Sequence, residues 1–146
     1  MKVLILGAYG QVGQELFMAL SRRIGASNIV CADIKEPPQN LGVEIHEKVN
    51  AVSQEDVENV IQKHNVKQIY CLTALLSATG EVNPMLTEQI NMKALFNCLE
   101  ASRKFHLDRM FWPSSIAAFG LDTPKNTPQE TIMNPQTVYG ITKKAG

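Results

Sequence analysis

Val3-Leu4-Ile5-Leu6 is an apolar run that stops at Gly7, and glycine returns at Gly10 and Gly13 before a helical pattern begins. A continuous apolar run suits a strand buried on both faces of a parallel sheet. Glycines placed there let the chain turn tightly, uncover backbone N–H groups and bring the next helix close to the strand. The opening residues therefore predict strand, tight turn and helix, and a parallel sheet to hold them.

The remaining sequence repeats that alternation. Val12, Leu16, Phe17 and Leu20 predict a helix over 11–22, and Asn28 to Asp33 reads as a second strand ending in an acid. Pro37-Pro38 marks a loop, with a short third strand expected at Val43-Glu44-Ile45. Ser53 is the expected cap of a helix whose apolar face is Val57, Val60 and Ile61. Lys67 to Leu72 predicts a fourth strand, and Asn83-Pro84 opens a long helix with Leu86, Ile90, Leu95, Phe96 and Leu99 as apolar positions. Arg109 to Trp112 predicts a fifth strand, Ser114 to Thr137 a long loop, and Tyr139 the start of a last helix. Strands alternating with helices indicate an α/β fold, a doubly wound parallel sheet ordered 3-2-1-4-5 in one domain spanning 1–146. Strand 5 is then expected at an uncovered edge, which calls for further chain or a partner.

Composition narrows the function classes. Fourteen basic residues balance fourteen acidic ones, which argues against electrostatic capture of nucleic acid or an anionic membrane. No apolar stretch reaches the ~20 residues that span a bilayer. Cys31, Cys71 and Cys98 lie apart in apolar runs, as buried free thiols of a cytoplasmic protein would, and no metal-ligand spacing is present.

The glycine turn has a use. A helix N-terminus offers unpaired N–H groups and partial positive charge to phosphates. Asp33 follows Gly13 by twenty residues and closes the second strand, where a carboxylate can accept ribose hydroxyls. An acid there would repel a 2′-phosphate, so NAD is expected over NADP, although Lys35 is close enough in sequence to tolerate one. A glycine-rich turn and a strand-end acid also occur with no ligand at all. Together, and at the start of the chain, they point to a dinucleotide.

A second constellation lies near the other terminus. Tyr139 and Lys143 are four apart and share a helix face. A phenol ordinarily ionises near ~10, and a neighbouring ammonium favours its anion. Such a tyrosine can take the proton of a substrate hydroxyl while hydride leaves for the nicotinamide. Ser114-Ser115 follows the fifth strand, at the sheet end where ligands bind. Alone, a Tyr-x-x-x-Lys pair is a solvated helix face and Ser-Ser is turn chemistry.

The arrangement resembles the extended short-chain dehydrogenase/reductases, the NAD-dependent epimerase/dehydratase family, and within it the short-chain-type L-threonine 3-dehydrogenases. The resemblance rests on Leu4 to Gly13, Leu72 to Ala78, Trp112 to Gly120, Asn126 to Gln129 and Thr137 to Lys143. It implies a Rossmann-like fold and catalytic residues Ser115, Tyr139 and Lys143. It implies cofactor contacts from Gly7, Gly10, Gln11, Val12, Gly13, Asp33 and Ile34, then from Leu72, Thr73, Ala74, Tyr139 and Lys143. Ser77, Ser115 and Tyr139 would meet the substrate. Asn91 matches an asparagine behind the family's active site, and Asn50 stands where the family usually carries an acid near the adenine. The implied reaction is NAD-dependent oxidation of the L-threonine 3-hydroxyl to 2-amino-3-oxobutanoate. A nucleotide-sugar epimerase or dehydratase, and a dinucleotide-binding domain without turnover, are the alternatives. The resemblance also implies a homodimer through the long helix and the Tyr139 helix. It places the last strands and a substrate lobe beyond Gly146, so that this span alone would be inactive.

Overall fold

A computed structural model describes residues 1–146, except the side chains of Ser77 and Thr79. Five parallel strands form one sheet in the order β3-β2-β1-β4-β5. They are β1 (Lys2–Leu6), β2 (Ile29–Asp33), β3 (His46–Lys48), β4 (Val66–Cys71) and β5 (Arg109–Phe111). The helices are α1 (Gln11–Ile24), α2 (Gln54–His64), α3 (Ser77–Val82), α4 (Pro84–Lys104) and α5 (Val138–Ala145). The Rossmann-like α/β fold expected from the sequence is therefore present, with the expected strand order.

The apolar run of β1 is buried on both sides because successive side chains point to opposite faces. Leu4 and Leu6 pack with Val57, Ile61, Ala94 and Cys98 from α2 and α4. Ile5 packs the other way, with Phe17 of α1 and with Ile29 and Cys31. All three cysteines are free and buried. Ser53 caps α2 by accepting the Asp56 N–H at 3.2 Å, and Asn83 caps α4 by accepting the Leu86 N–H at 3.2 Å. Among the described residues no helix is long and apolar enough to cross a membrane.

Three local expectations are corrected, and one element is added. The third strand is His46–Lys48, not 43–45, because Cys31 pairs in register with His46. β5 stops at Phe111, and its three residues make a short edge, with exposed Arg109 at one end, rather than a long one. A short helix, α3, occupies part of the segment between β4 and α4. The core face of α4 is made of small and polar residues, Asn91, Ala94, Cys98 and Ala101 beside Leu95, while Leu86, Phe96 and Leu99 are 41–57% exposed. Tight approach of α4 to the sheet requires those small side chains.

Glu47 of β3 ties the sheet to the end of α2, accepting from Lys63 at 2.8 Å and His64 at 2.7 Å. Burial pushes its carboxyl up, but the hydrogen bonds from Lys63 and His64 outweigh that and hold it below the usual range. A lowered folded value means the stabilisation is complete above the unfolded carboxyl range near ~4.3 and is lost as pH falls through the folded value. Glu47→Gln is expected to remove on the order of 1 kcal/mol at neutral pH and to flatten the acid limb of a urea-stability curve. An unchanged acid limb would contradict this.

Candidate active site

The glycine turn is held backbone to backbone against the exit of β4. Gly7 adopts φ +80°, and a Cβ there would stand 2.9 Å from the Thr73 nitrogen. A Cβ at Gly13 would stand 2.5 Å from the Gly7 oxygen and 2.6 Å from the Ala8 oxygen. At Gly10 it would meet only the Gly7 oxygen, at 3.5 Å, and otherwise open space. Gly10 caps α1 without a side chain, which leaves first-turn N–H groups for another acceptor.

Asp33 ends β2 with 9% of its surface exposed. One carboxylate oxygen accepts the Tyr9 N–H at 3.0 Å and the other the Lys35 N–H at 3.1 Å. Each oxygen keeps lone-pair capacity for a ribose hydroxyl. Tyr9 in turn bonds His46 of β3 through its hydroxyl, at 2.8 Å. Burial pushes that phenol up, and Cys31, Asp33 and Glu36 add to the effect, so it stays protonated.

A cleft of about 460 Å³ opens between these pieces. Of the expected cofactor residues, Gly7, Gly10, Asp33 and Ile34 line it from one side and Leu72, Thr73 and Ala74 from the other. Gln11, Val12 and Gly13 are not among its lining residues. Val12, expected on the apolar face of α1, is 64% exposed at the helix start. Lys35, Asn50, Gln89 and Ile90 also line the cleft, so α4 contributes a wall that helical periodicity alone did not assign. Asn50 accepts the Val52 N–H at 3.3 Å, which leaves its amide hydrogens as the free donors. Ser77 was expected at the substrate, and its side chain lies outside the described residues.

Ser115, Tyr139 and Lys143 do not line this cleft but are joined to its wall. Asn91, 1% exposed, accepts the Leu75 N–H at 2.8 Å and donates to the Leu75 carbonyl at 3.2 Å and to Thr142 Oγ1 at 3.1 Å. One amide thus ties the loop after β4 to α5. Thr142 Oγ1 donates onward to the Tyr139 carbonyl at 2.8 Å. Thr137 caps α5 by accepting the Gly140 N–H at 3.0 Å. Gly140 lets α5 lie on the turn after Ser115, since a Cβ there would come within 2.1 Å of the Ala117 oxygen. Ser115 caps that turn by accepting the Ala117 N–H at 3.2 Å, with its own hydroxyl hydrogen still available.

Lys143 is 5% exposed. Its ammonium donates to the Pro113 carbonyl at 2.7 Å and lies 4.0 Å from the Trp112 ring centroid and 5.7 Å from that of Tyr139. Tyr139 and Lys143 therefore face one region. Burial holds the lysine below its usual range, against the pull of Cys71 toward the charged form. Asn91→Leu is expected to keep the volume but orphan the Leu75 backbone groups, lowering urea stability by about 2 kcal/mol. A loss under about 0.5 kcal/mol would contradict the bridging role.

A doubly wound parallel sheet with a glycine turn, a strand-end acid and a bridged Tyr–Lys helix defines a dinucleotide-binding protein of Rossmann type. Residues 3–146 match the NAD dependent epimerase/dehydratase family, and the chain belongs to that family. NAD is its cofactor class, and the open face of Gly10, the free helix N-terminus and the lone pairs of Asp33 fit it. The chain is 40% identical to an uncharacterised epimerase/dehydratase of Staphylococcus epidermidis, over 99% of this chain and 46% of that protein. It thus spans about half the length of the curated relatives it matches. A GalE-like L-threonine dehydrogenase from Cupriavidus necator, in its holo form, superposes with a TM-score of 0.95 at 46% identity, over 99% of this chain and 47% of that one. The L-threonine dehydrogenase of Clostridium difficile gives 0.94 at 36% identity, over 99% and 46%.

Proposed function

We propose that this chain is the cofactor-binding half of an NAD-dependent L-threonine 3-dehydrogenase. Gly7, Gly10 and the N-terminus of α1 hold the pyrophosphate, Asp33 the adenosine ribose, and Leu72, Thr73 and Ala74 flank the dinucleotide. NAD, when bound, supplies the hydride acceptor. Ser115 donates its free hydroxyl hydrogen to the substrate oxygen, and Tyr139 takes the proton from the 3-hydroxyl. Lys143 provides the positive charge beside them and a contact for the nicotinamide ribose. Ser77 is proposed to meet the polar end of the amino acid.

The Asn91 bridge carries this reading. It joins the wall of the dinucleotide cleft to the helix bearing Tyr139 and Lys143, so cofactor and proton acceptor keep a common register. Likeness to two L-threonine dehydrogenases at 36% and 46% identity supports the substrate. The 146-residue span by itself is proposed to bind NAD without turnover. A homodimer through α4 and α5 is supported by exposed Phe96, Leu99 and Ile141. The test is NADH absorbance from NAD and L-threonine, in a polypeptide joining this span to the C-terminal half that its relatives possess. Threonine-dependent NADH formation is the expected result. Its absence at every threonine concentration, with activity on a nucleotide sugar instead, would overturn the substrate assignment.

A further inference from the structure

Lys143 is an ammonium with very little access to water, and burying an unpaired charge is costly. No carboxylate among the described residues forms an ion pair with it. Its compensation comes from two neighbours at the end of β5. The Pro113 carbonyl accepts from Nζ at 2.7 Å, and the indole of Trp112 lies 4.0 Å beneath it. An aromatic face attracts a cation through its quadrupole, most strongly for tryptophan and most of all when the pair is desolvated. Trp112 is itself confined, because a Cβ at Gly146 would come within 2.7 Å of its ring.

We propose that Trp112 is a positioning residue for Lys143, its indole face and the Pro113 carbonyl together holding the buried ammonium charged and aimed toward the Tyr139 side of the site. This rests on reading Lys143 as the site lysine, but the contact itself requires no bound cofactor. The groups facing Lys143 are few. Tyr139 lies on its own helix, Cys71 approaches from β4, and Cys98 of α4 packs in the same core cluster as Cys71. Removing the indole takes away support for the charged form while leaving the lysine buried. A tryptophan that merely fills space would leave the lysine's protonation unchanged.

The chain has one tryptophan, so its tryptophan emission comes from this position alone. The experiment follows the Lys143 Cε signal in ¹³C-lysine-labelled chain through an alkaline titration, for wild type, Trp112→Phe and Trp112→Leu. Lys143→Met assigns the signal. The proposal expects a ring-current-displaced resonance in wild type and a titration midpoint that falls in Trp112→Leu, with Trp112→Phe between. It also expects wild-type emission to carry a component at the Lys143 midpoint, and that component to vanish in Lys143→Met. Should Trp112→Leu fail to fold, the phenylalanine variant and the emission comparison decide. Equal midpoints in folded variants, or an emission component at the Lys143 midpoint that survives Lys143→Met, would overturn the proposal. A Lys143 signal that follows the Trp112 series yet ignores saturating NAD would support the positioning role and refute the cofactor role of Lys143.

Discussion

A Gly13→Ala chain is expected to lose at least about 3 kcal/mol of stability and all measurable NAD binding. The added carbon would sit 2.5–2.7 Å from three backbone atoms of the same turn, the Gly7 oxygen and the Ala8 carbonyl carbon and oxygen. Backbone cannot rotate aside as a long side chain can, so relief requires opening the turn between β1 and α1. Gly10→Ala provides the contrast. Its φ of −72° suits alanine, and the new carbon meets only one atom, at ordinary contact distance. That variant is expected to unfold within about 0.5 kcal/mol of wild type while NAD affinity falls by roughly tenfold or more, because the methyl stands in the cleft wall. Urea unfolding and calorimetric NAD titration separate the two. Equal stability of both variants would contradict the close approach at Gly13. Undiminished NAD affinity in Gly10→Ala would contradict a pyrophosphate at that face.

Tyr139→Phe is expected to lower threonine-dependent NADH formation by about 10²–10⁴-fold, the usual contribution of a positioned proton acceptor. The phenol oxygen makes none of the hydrogen bonds recorded among the described residues, so stability should stay within about 0.5 kcal/mol. NAD affinity should change by less than about threefold, since the ring remains. The assay uses the same joined polypeptide as the substrate test, and the binding measurement uses either form. A modest loss of rate, under about tenfold, would remove Tyr139 from the chemistry. A large loss of NAD affinity would reassign it to cofactor binding.

Much of this arrangement is legible in the residues, and the reasons for success and failure are physical. β1 and the glycine turn are readable because local sterics dictate them: an apolar strand buried on both faces, then two positions, Gly7 and Gly13, with no room for a side chain. The caps at Ser53 and Asn83 are equally local. The third strand is not, because its register is chosen by pairing with Cys31 across the sheet, a long-range choice. The long helix misleads for another reason. Large apolar residues suggest a core face, yet proximity to the sheet selects Ala94, Cys98 and Ala101 for it and leaves Phe96 outside. Tyr139 and Lys143 are readable by spacing, whereas Trp112 beneath Lys143 comes from the segment just after β5 and has no sequence-local signal. Asn91 stood out by resemblance, but its partners Leu75 and Thr142 required coordinates.

The central claim is that the cleft between Gly10, Asp33 and Thr73 receives NAD. Calorimetric titration of the 146-residue chain tests it most directly, with NAD, NADP and an Asp33→Ala variant compared. The account predicts saturable one-to-one NAD binding, weaker NADP binding, and at least a tenfold loss of NAD affinity in Asp33→Ala, about 1.4 kcal/mol or more. A folded chain that shows no saturable NAD binding, or binds it equally well without the Asp33 carboxylate, would contradict the account.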